Sequence, residues 1–546
     1  MRSIAAFRII SMFALASVLL ASGAFAQTPT TIHDFNTAAG DVGVPVRYGI
    51  AVQGRDGVLY GAANAGGGFS VGGIYAINQA GAESIFYSFP HNFIGCQDGL
   101  SLGSDGNFYG ACSAGGANGY GILYKLDPSG AYTLLHTFSA SGGDGGNPQS
   151  PPTQANDGNL YGTTSTGGAN GVGAIYKLTQ AGVLTILYSF KNTTDGTNPN
   201  AALVQGTDGN LYGSTADHGA NGYGVIFKVS TKGKLKVLHS FAGADGSVPV
   251  AALTQGSDGN FYACTFQGGT NNDGVVFKMS ASGKYTLLHN FDTPSDGSYC
   301  FAAMLQATDG NFYGTTNNYG SLQDTIYKVT PKGVFSTVYQ FDGTSSSVGF
   351  GAANALVQST DGLLYGATSF SATGVPRNGT IYTLNIGAHT FARLTAQSGI
   401  VGASISIFGQ GFDSSSVVAF GGVQAPGVVL QGTTYITVPV PTGALTGSVT
   451  ITTGSNTLTS SQPFKVTPTI KTFAPPQGPV GTAVVISGSG LTQTTKVTFG
   501  GVAATVFTVN SDAQITATVP TGAKTGKIAV TTKGGSVTTK TKFTVQ

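Results

Sequence analysis

Side chains able to move protons, attack carbonyls or hold metals are scarce in this sequence, and most of them recur at fixed places. Glu83 is the only glutamate among 546 residues. A glutamate pair or a Glu-x-x-His arrangement therefore cannot be built. Two aspartates could still flank a glycosidic bond. The most regular aspartates, however, are Asp56, Asp105, Asp157, Asp208, Asp258, Asp309 and Asp361, each followed by glycine and spaced 49 to 52 residues apart. Asp-Gly is turn chemistry: glycine takes positive φ freely, and aspartate hydrogen-bonds its own backbone. These seven are expected to shape turns.

The other chemical groups thin out in the same way. A sialidase-like site needs clustered arginines, and beyond the first 26 residues there are only Arg47, Arg55, Arg377 and Arg393. His33, His136, His239 and His289 occupy one repeat position, which Tyr87, Tyr188 and Tyr339 fill elsewhere. A position open to both wants a flat ring with a polar tip, and radial repetition would hold such histidines apart, so no metal site is expected there. Gly-x-Ser-x-Gly, His-Glu-x-x-His, a P-loop and Cys-x-x-Cys are all absent. Asp144, Asp195, Asp245 and Asp296 each stand 13 residues before a turn aspartate. They lack the Asp-x-Asp-x-Asp spacing of a calcium loop. Neither cofactor nor metal is expected.

What remains is a surface. Gly115–Gly119 and Gly167–Gly171 read Gly-Gly-Ala-Asn-Gly, and Asp144–Pro148, Asp195–Pro199 and Asp245–Pro249 read Asp-Gly-x-x-Pro. In a four-stranded blade both loop families emerge on one face. Asn118, Asn170, Asn221, Asp144, Asp195, Asp245 and Asp296 would gather there, with Tyr120 and Tyr223, and with Tyr299 and Tyr319 nearby. Amides and carboxylates beside phenol rings suit sugar hydroxyls. The plain alternative is that these segments are only turns, and the absence of Trp counts against a sugar platform.

The elements that carry these loops follow from the period. Seven units of about 50 residues, each with four short β-branched and aromatic runs, are the signature of propeller blades. In Gln205–Phe241 the runs are Asn210–Thr215, Gly224–Val229 and Leu235–Phe241, with Ala201–Gln205 before them. Thr31–Phe35 resembles the fourth strand of a unit but precedes the first complete one. It is expected to complete the last blade and close the ring, with Thr390–Leu394 as the loose end of unit seven. An open solenoid is the rival.

Residues 1–26 form a secretory signal: Arg2 and Arg8, an apolar run, then Ala24-Phe-Ala26. Cleavage would leave 23 basic and 23 acidic residues. No basic patch is left to pair with phosphates, so nucleic acid is not an expected partner. Residues 27–394 would be the propeller. Residues 395–467 and 468–546 read as two copies of one domain: Phe420-Gly-Gly returns as Phe499-Gly-Gly, and Phe464 as Phe543, at an offset of 79. Length and alternation fit small Ig-like sandwiches. No hydrophobic tail or sorting motif is expected in the stretch that leads to Gln546. Cys96 and Cys112 flank one hairpin and are expected to pair. Cys264 and Cys300 sit in consecutive units, where a bridge and buried thiols both stay open.

The repeat DGN[LF]YG–GGANG–G–[IV][FY]K[LV]–LHSF, as in Asp157–Phe190 and Asp208–Phe241, resembles the Gloeo/Verruco tandem repeat of bacterial secreted or surface proteins. The tail, with Gly-x-x-[VI]-x-[IV]-x-Gly-x-Gly, Phe-Gly-Gly and Pro-Thr-Gly, resembles two IPT/TIG domains. Neither resemblance implies a reaction. The combined expectation is an all-β chain, a seven-bladed β-propeller followed by two Ig-like β-sandwich domains. It would be secreted, monomeric and non-catalytic, binding glycan or a surface protein through its loop face. A propeller-borne polysaccharide lyase or hydrolase, and a purely structural layer protein, are the alternatives.

Overall fold

Each blade's first two strands are joined by its Asp-Gly turn, and one carboxylate organises it. In all seven turns the aspartate Oδ1 accepts the backbone N–H two residues on, and Oδ2 accepts the hydroxyl of the tyrosine four residues on. The tyrosine bonds measure 2.6 to 2.8 Å, as in Tyr60–Asp56 and Tyr212–Asp208. The glycine that follows takes positive φ, +80° at Gly209. The motif Asp-Gly-x-x-Tyr is thus a hairpin whose turn is clamped to its own second strand.

The computed structural model describes residues 27–546 except 37–40, 46–50, 92, 97–98, 142, 294, 319–323, 342–347, 353 and 372–377. The signal expected in 1–26 lies outside the described residues, as do Arg47, Tyr319 and Arg377. Residues 30–384 form seven main antiparallel sheets. In blade four the strands are Val204–Gln205, Leu211–Thr215, Val225–Val229 and Leu235–Ser240, hydrogen-bonded in that order. The innermost strand is shorter than the expected Ala201–Gln205, because only its last two residues enter the ladder. The second strand is buried along its whole length and the third almost so, whereas the fourth is half exposed. That gradient arises because neighbouring blades cover both faces of the inner strands.

One glycine makes this packing possible. The Tyr-Gly pair of the second strand lies beneath the third-strand ring, and a Cβ on Gly162 would collide with the Tyr176 hydroxyl. Blade five has Ala263 at this place, and there the ring is Phe277, which has no hydroxyl.

Seven apolar clusters join the blades in sequence, and the seventh joins the last blade to the first. It packs Tyr365, Ala367 and Ile381 against Leu59, Tyr75 and Val42. Each large side chain fully removed from water contributes about 1.5–3 kcal/mol. The N-terminal strand Thr30–Asp34 pairs antiparallel with Thr380–Leu384 and supplies the outer strand of blade seven. The ring is closed, and the open solenoid is excluded.

A belt of glutamines runs around the turn side. Gln154, Gln205, Gln255, Gln306 and Gln358 each end an innermost strand. Each accepts through Oε1 the backbone N–H that precedes the previous blade's turn aspartate, at 2.7 to 3.0 Å. Each also donates to its own turn glycine. At the seam, Gln53 Nε2 likewise donates to its own turn glycine, Gly57, and also to Ser359 Oγ and Thr360 Oγ1. Blade two has no such glutamine, and Arg55 bridges there by donating to Ser104 O at 2.6 Å.

Two disulfides add to this frame. Cys96–Cys112 ties the segment entering blade two to the end of its second strand, and Cys264–Cys300 joins blade five to the segment entering blade six.

The tail begins earlier than expected. Arg393–Leu394 is not the loose end of unit seven; it pairs with Ile407–Phe408 inside the first Ig-like domain. The change of allegiance falls between Phe391, whose N–H donates to Thr360 O, and Ala392, whose N–H donates to Thr459 O. Blade seven had no need of that strand, since Thr30–Asp34 already fills the place. Both tail domains are two-sheet sandwiches, and their cores repeat. Phe420 meets Phe464 edge-on at 5.1 Å, and Phe499 meets Phe543 in the same way at 5.3 Å.

The first Ig-like domain docks on the turn side of the ring. Thr434 Oγ1 donates to Arg55 O at 2.7 Å, and the Arg55 guanidinium lies over the Tyr435 ring at 4.7 Å. The second strand runs from the turn to the loop that precedes the third strand, so the tail occupies the side opposite those loops.

Candidate functional site

The loop face is built by backbone pairing between neighbours. The loop entering each blade pairs with the loop between that blade's second and third strands: Gly145–Gly146 with Thr166–Gly167, Thr197 with Asp217, Ser247 with Gln267, Phe350 with Phe370. It also reaches back to the preceding blade. Asn147 N–H donates to Tyr120 O at 2.7 Å, and Val248 N–H to Tyr223 O at 3.2 Å. Both loop families therefore share one face, and their tips are held by main-chain bonds on two sides.

The asparagines foreseen as ligand contacts serve this frame. Nδ2 of Asn118 donates to Phe138 O, that of Asn170 to Phe190 O, and that of Asn221 to Ser240 O, at 3.2, 2.9 and 3.3 Å. Each amide ties its loop to the end of the fourth strand.

The aspartates are likewise turned inward. Asp144 accepts from Ser139 N–H at 2.9 Å and faces His136 Nε2 at 3.4 Å. Asp195 accepts from the Tyr188 hydroxyl at 2.7 Å and from Lys191 N–H. Asp245 meets His239 Nε2 at 2.9 Å, and Asp296 meets His289 Nε2 at 2.6 Å. Asp195 and Asp296 are buried. The recurrent histidine or tyrosine and the recurrent loop aspartate are thus partners, six to eight residues apart. Treating them as separate groups concealed this, and so did the variable loop between them.

The two arginines among the described residues, Arg55 and Arg393, do not gather. Arg393 lies over Phe408 inside the first Ig-like domain, and Arg55 is engaged with Tyr435 and Ser104 on the turn side. Tyr299 has its ring 4.8 Å from that of Phe266.

Tyr120 and Tyr223 are different. The two residues are 45% and 46% exposed, at the tips of loops whose main chain is fixed. Phe69, in the matching loop of blade one, is 47% exposed. Three blades therefore present an aromatic ring on the face that the tail leaves uncovered.

Toward the ring axis, the inner segments of blades three to six border a shallow depression lined by Gln149, Asn200, Val250, Phe301 and small residues. Ser150 Oγ and Asn200 Oδ1 are buried there without protein partners.

The structure also assembles a group that the repeat had concealed. His33, Asp41 and Glu83 offer three donor atoms within 4.8 Å of one another, and among the described residues they are the one such trio. His33 comes from the outer strand of blade seven, and Glu83 from the outer strand of blade one. Burial, followed by the hydrogen bond and charge of the adjacent Asp41 carboxylate, pushes the Glu83 carboxyl up to about 8. The signal available in the sequence was the solitary glutamate itself.

Residues 95–324 match the Gloeobacter/Verrucomicrobia repeat, and 468–545 match the IPT/TIG domain. No curated protein matches the chain. Among solved structures, a fungal alcohol oxidase of the AA5 family in complex with copper is similar over 92% of this chain and 98% of its own, at 14% identity and a TM-score of 0.47. A putative 6-phosphogluconolactonase of Bacteroides fragilis is similar over 65% and 91%, at 15% identity and a TM-score of 0.40. A surface glycan-binding protein of Prevotella bryantii is similar over 28% and 41%, at 17% identity and a TM-score of 0.22.

Proposed function

We propose that this chain of Gloeobacter/Verrucomicrobia repeats and IPT/TIG domain is an extracellular, non-catalytic binding scaffold that takes glycan on the loop face of its propeller. The observation that carries this reading is the pair Tyr120 and Tyr223: exposed rings on loops already fixed by main-chain bonds. A preformed aromatic platform loses little freedom on binding, and phenol rings offer a flat apolar face with a polar tip to a sugar. The carboxylates of the same face are spent on internal hydrogen bonds. Acid–base work on a glycosidic bond needs two free carboxyls across the substrate, so capture fits this face better than turnover. The first Ig-like domain, docked on the other side, and the second, carried on it, act as a stalk that points the face outward.

The test uses the full mature protein and its Y120A, Y223A and doubly substituted forms on a polysaccharide array, with reducing-end release measured on the same polymers. Saturable binding that the double substitution abolishes, without release, is the expected result. Product release overturns the non-catalytic reading. Binding that survives the double substitution removes these tyrosines from the site, and protein ligands without glycan binding would redirect the reading to adhesion.

A further inference from the structure

We propose that His33, Asp41 and Glu83 form a binding site for a divalent transition-metal cation of the zinc or manganese type, placed where the propeller closes. Four observations converge on it.

The first is the donor set. His33 Nε2 lies 3.3 Å from Asp41 Oδ2, and a Glu83 carboxyl oxygen lies within 4.8 Å of both. One imidazole and two carboxylates on one side, with the remaining positions left to water, suit zinc or manganese. Calcium wants six to eight oxygens and gains little from a ring nitrogen.

The second is the break in the repeat. Glu83 pairs with Ile77 at the start of its strand. The same register position holds Tyr132, Leu184, Leu235, Tyr285 and Phe335 in blades two to six. In blades five and six that ring stacks on the histidine of the preceding blade, His239–Tyr285 at 4.2 Å and His289–Phe335 at 3.7 Å. At the seam the apolar cover is replaced by the chain's single glutamate.

The third is an unmet acceptor. Glu83 Oε1 is shut off from water and meets no hydrogen-bond donor. A buried carboxyl oxygen without a partner costs free energy, and a cation removes that cost.

The fourth is charge. Among the described residues the one ion pair at this group is His33–Asp41. With both acids ionised around a bound cation, two carboxylates face a single imidazole and leave room for positive charge. The pairs His136–Asp144, His239–Asp245 and His289–Asp296 lack a third donor and act as built-in controls.

The cation would connect three stretches of chain that meet only when the ring is complete: the N-terminal strand, the loop after it, and the outer strand of blade one. The experiment takes the full mature chain, stripped with EDTA, and titrates ZnCl2 and MnCl2 by calorimetry, with thermal unfolding in parallel. The variants are E83L and H33Y. Leucine and tyrosine are what the repeat itself places at these positions in Leu184 and Tyr188, so both proteins are expected to fold, which circular dichroism verifies. One equivalent of zinc or manganese should bind and raise the midpoint of the parent protein. Each variant should weaken binding by more than the roughly 10–100-fold that loss of an outer-shell partner costs. No binding of either metal to the parent, or equal binding to parent and both variants, overturns the site.

Discussion

Gln410 Nε2, in the first Ig-like domain, donates to Thr360 Oγ1 in the turn of the last blade at 2.7 Å. Thr360 Oγ1 is also the acceptor for Gln53 Nε2 from blade one, at 3.1 Å. The glutamine belt therefore ends on a residue shared by the last blade, the first blade and the tail. Gln358 Nε2 makes the ordinary version of this contact, to Thr308 Oγ1. The tail thus copies a blade-to-blade contact at the one place where the ring is joined by non-consecutive chain.

Removing that contact should loosen the seam more than the remaining belt. A net hydrogen bond of this kind contributes about 1 kcal/mol. Gln410→Ala is expected to lower propeller stability by about that amount, and Arg55→Ala by more, because it loses two contacts, the Tyr435 face and the Ser104 carbonyl. Urea unfolding of the full chain, followed by tyrosine fluorescence, is the measurement. An unchanged midpoint in both variants would show that the tail merely touches the ring.

Acid should weaken the blades through their turns. At Asp208, burial works to raise the carboxyl pKa. The Asn210 side chain, the Tyr212 hydroxyl, the Asn210 N–H and the Lys228 charge outweigh burial and hold it below the usual carboxylate range. Asp157 and Asp258 are held low in the same way. A lowered folded-state pKa means stability that is present above the unfolded value, near about 4, and lost as pH falls through the folded value. The thermal midpoint should drop as pH falls below about 4, and Asp208→Asn should make that drop shallower. An equally steep drop would place the acid sensitivity elsewhere.

The glycine under each third-strand ring predicts a graded response. Gly162→Ala meets the Tyr176 hydroxyl, whereas a Cβ at Gly213 meets the Phe227 ring edge at 2.7 Å. Overpacking a filled core costs about 1–3 kcal/mol. Gly162→Ala should fall at the top of that range and Gly213→Ala nearer the bottom. Adding Tyr176→Phe to Gly162→Ala should recover part of the loss, as the Ala263–Phe277 pair already suggests. Paired chemical denaturation of the three variants decides it.

The two disulfides should differ in worth. Cys264–Cys300 closes a loop with a sequence separation of 36, against 16 for Cys96–Cys112. On the chain-entropy account the longer loop contributes about 4 kcal/mol and the shorter about 3. Replacing each pair by serine and comparing unfolding midpoints tests the order. The reverse order would mean that native packing, rather than the unfolded chain, sets their value.

Much of the frame could be read before any coordinate was known, because turn chemistry is local. Asp208-Gly209 announces its hairpin within four residues, and seven such turns imply a ring. Partner choice was less accessible. His239 and Asp245 are joined across a loop whose length changes from blade to blade, so no fixed spacing marks them. Asn118 looked like a ligand contact because an amide is versatile; its acceptor, Phe138 O, is set by how the fourth strand ends. Arg393 and Leu394 were misplaced because a two-residue strand carries no pattern of its own. Glu83 gains meaning only from the register that aligns it with Leu184 and Tyr285, and from closure, which brings His33 beside it.

The outer strand of blade seven also sets a waiting time. Thr383 Oγ1 donates to Thr30 O across 353 residues of sequence. A ribosome adding about 5–20 residues per second makes the first partner roughly 20–70 s before the second. Until then Thr30–Asp34 has no edge to join, and an unpaired strand invites other chains. Its sequence, Thr-Thr-Ile-His-Asp, is polar and ends on a charge, which keeps it soluble through the delay.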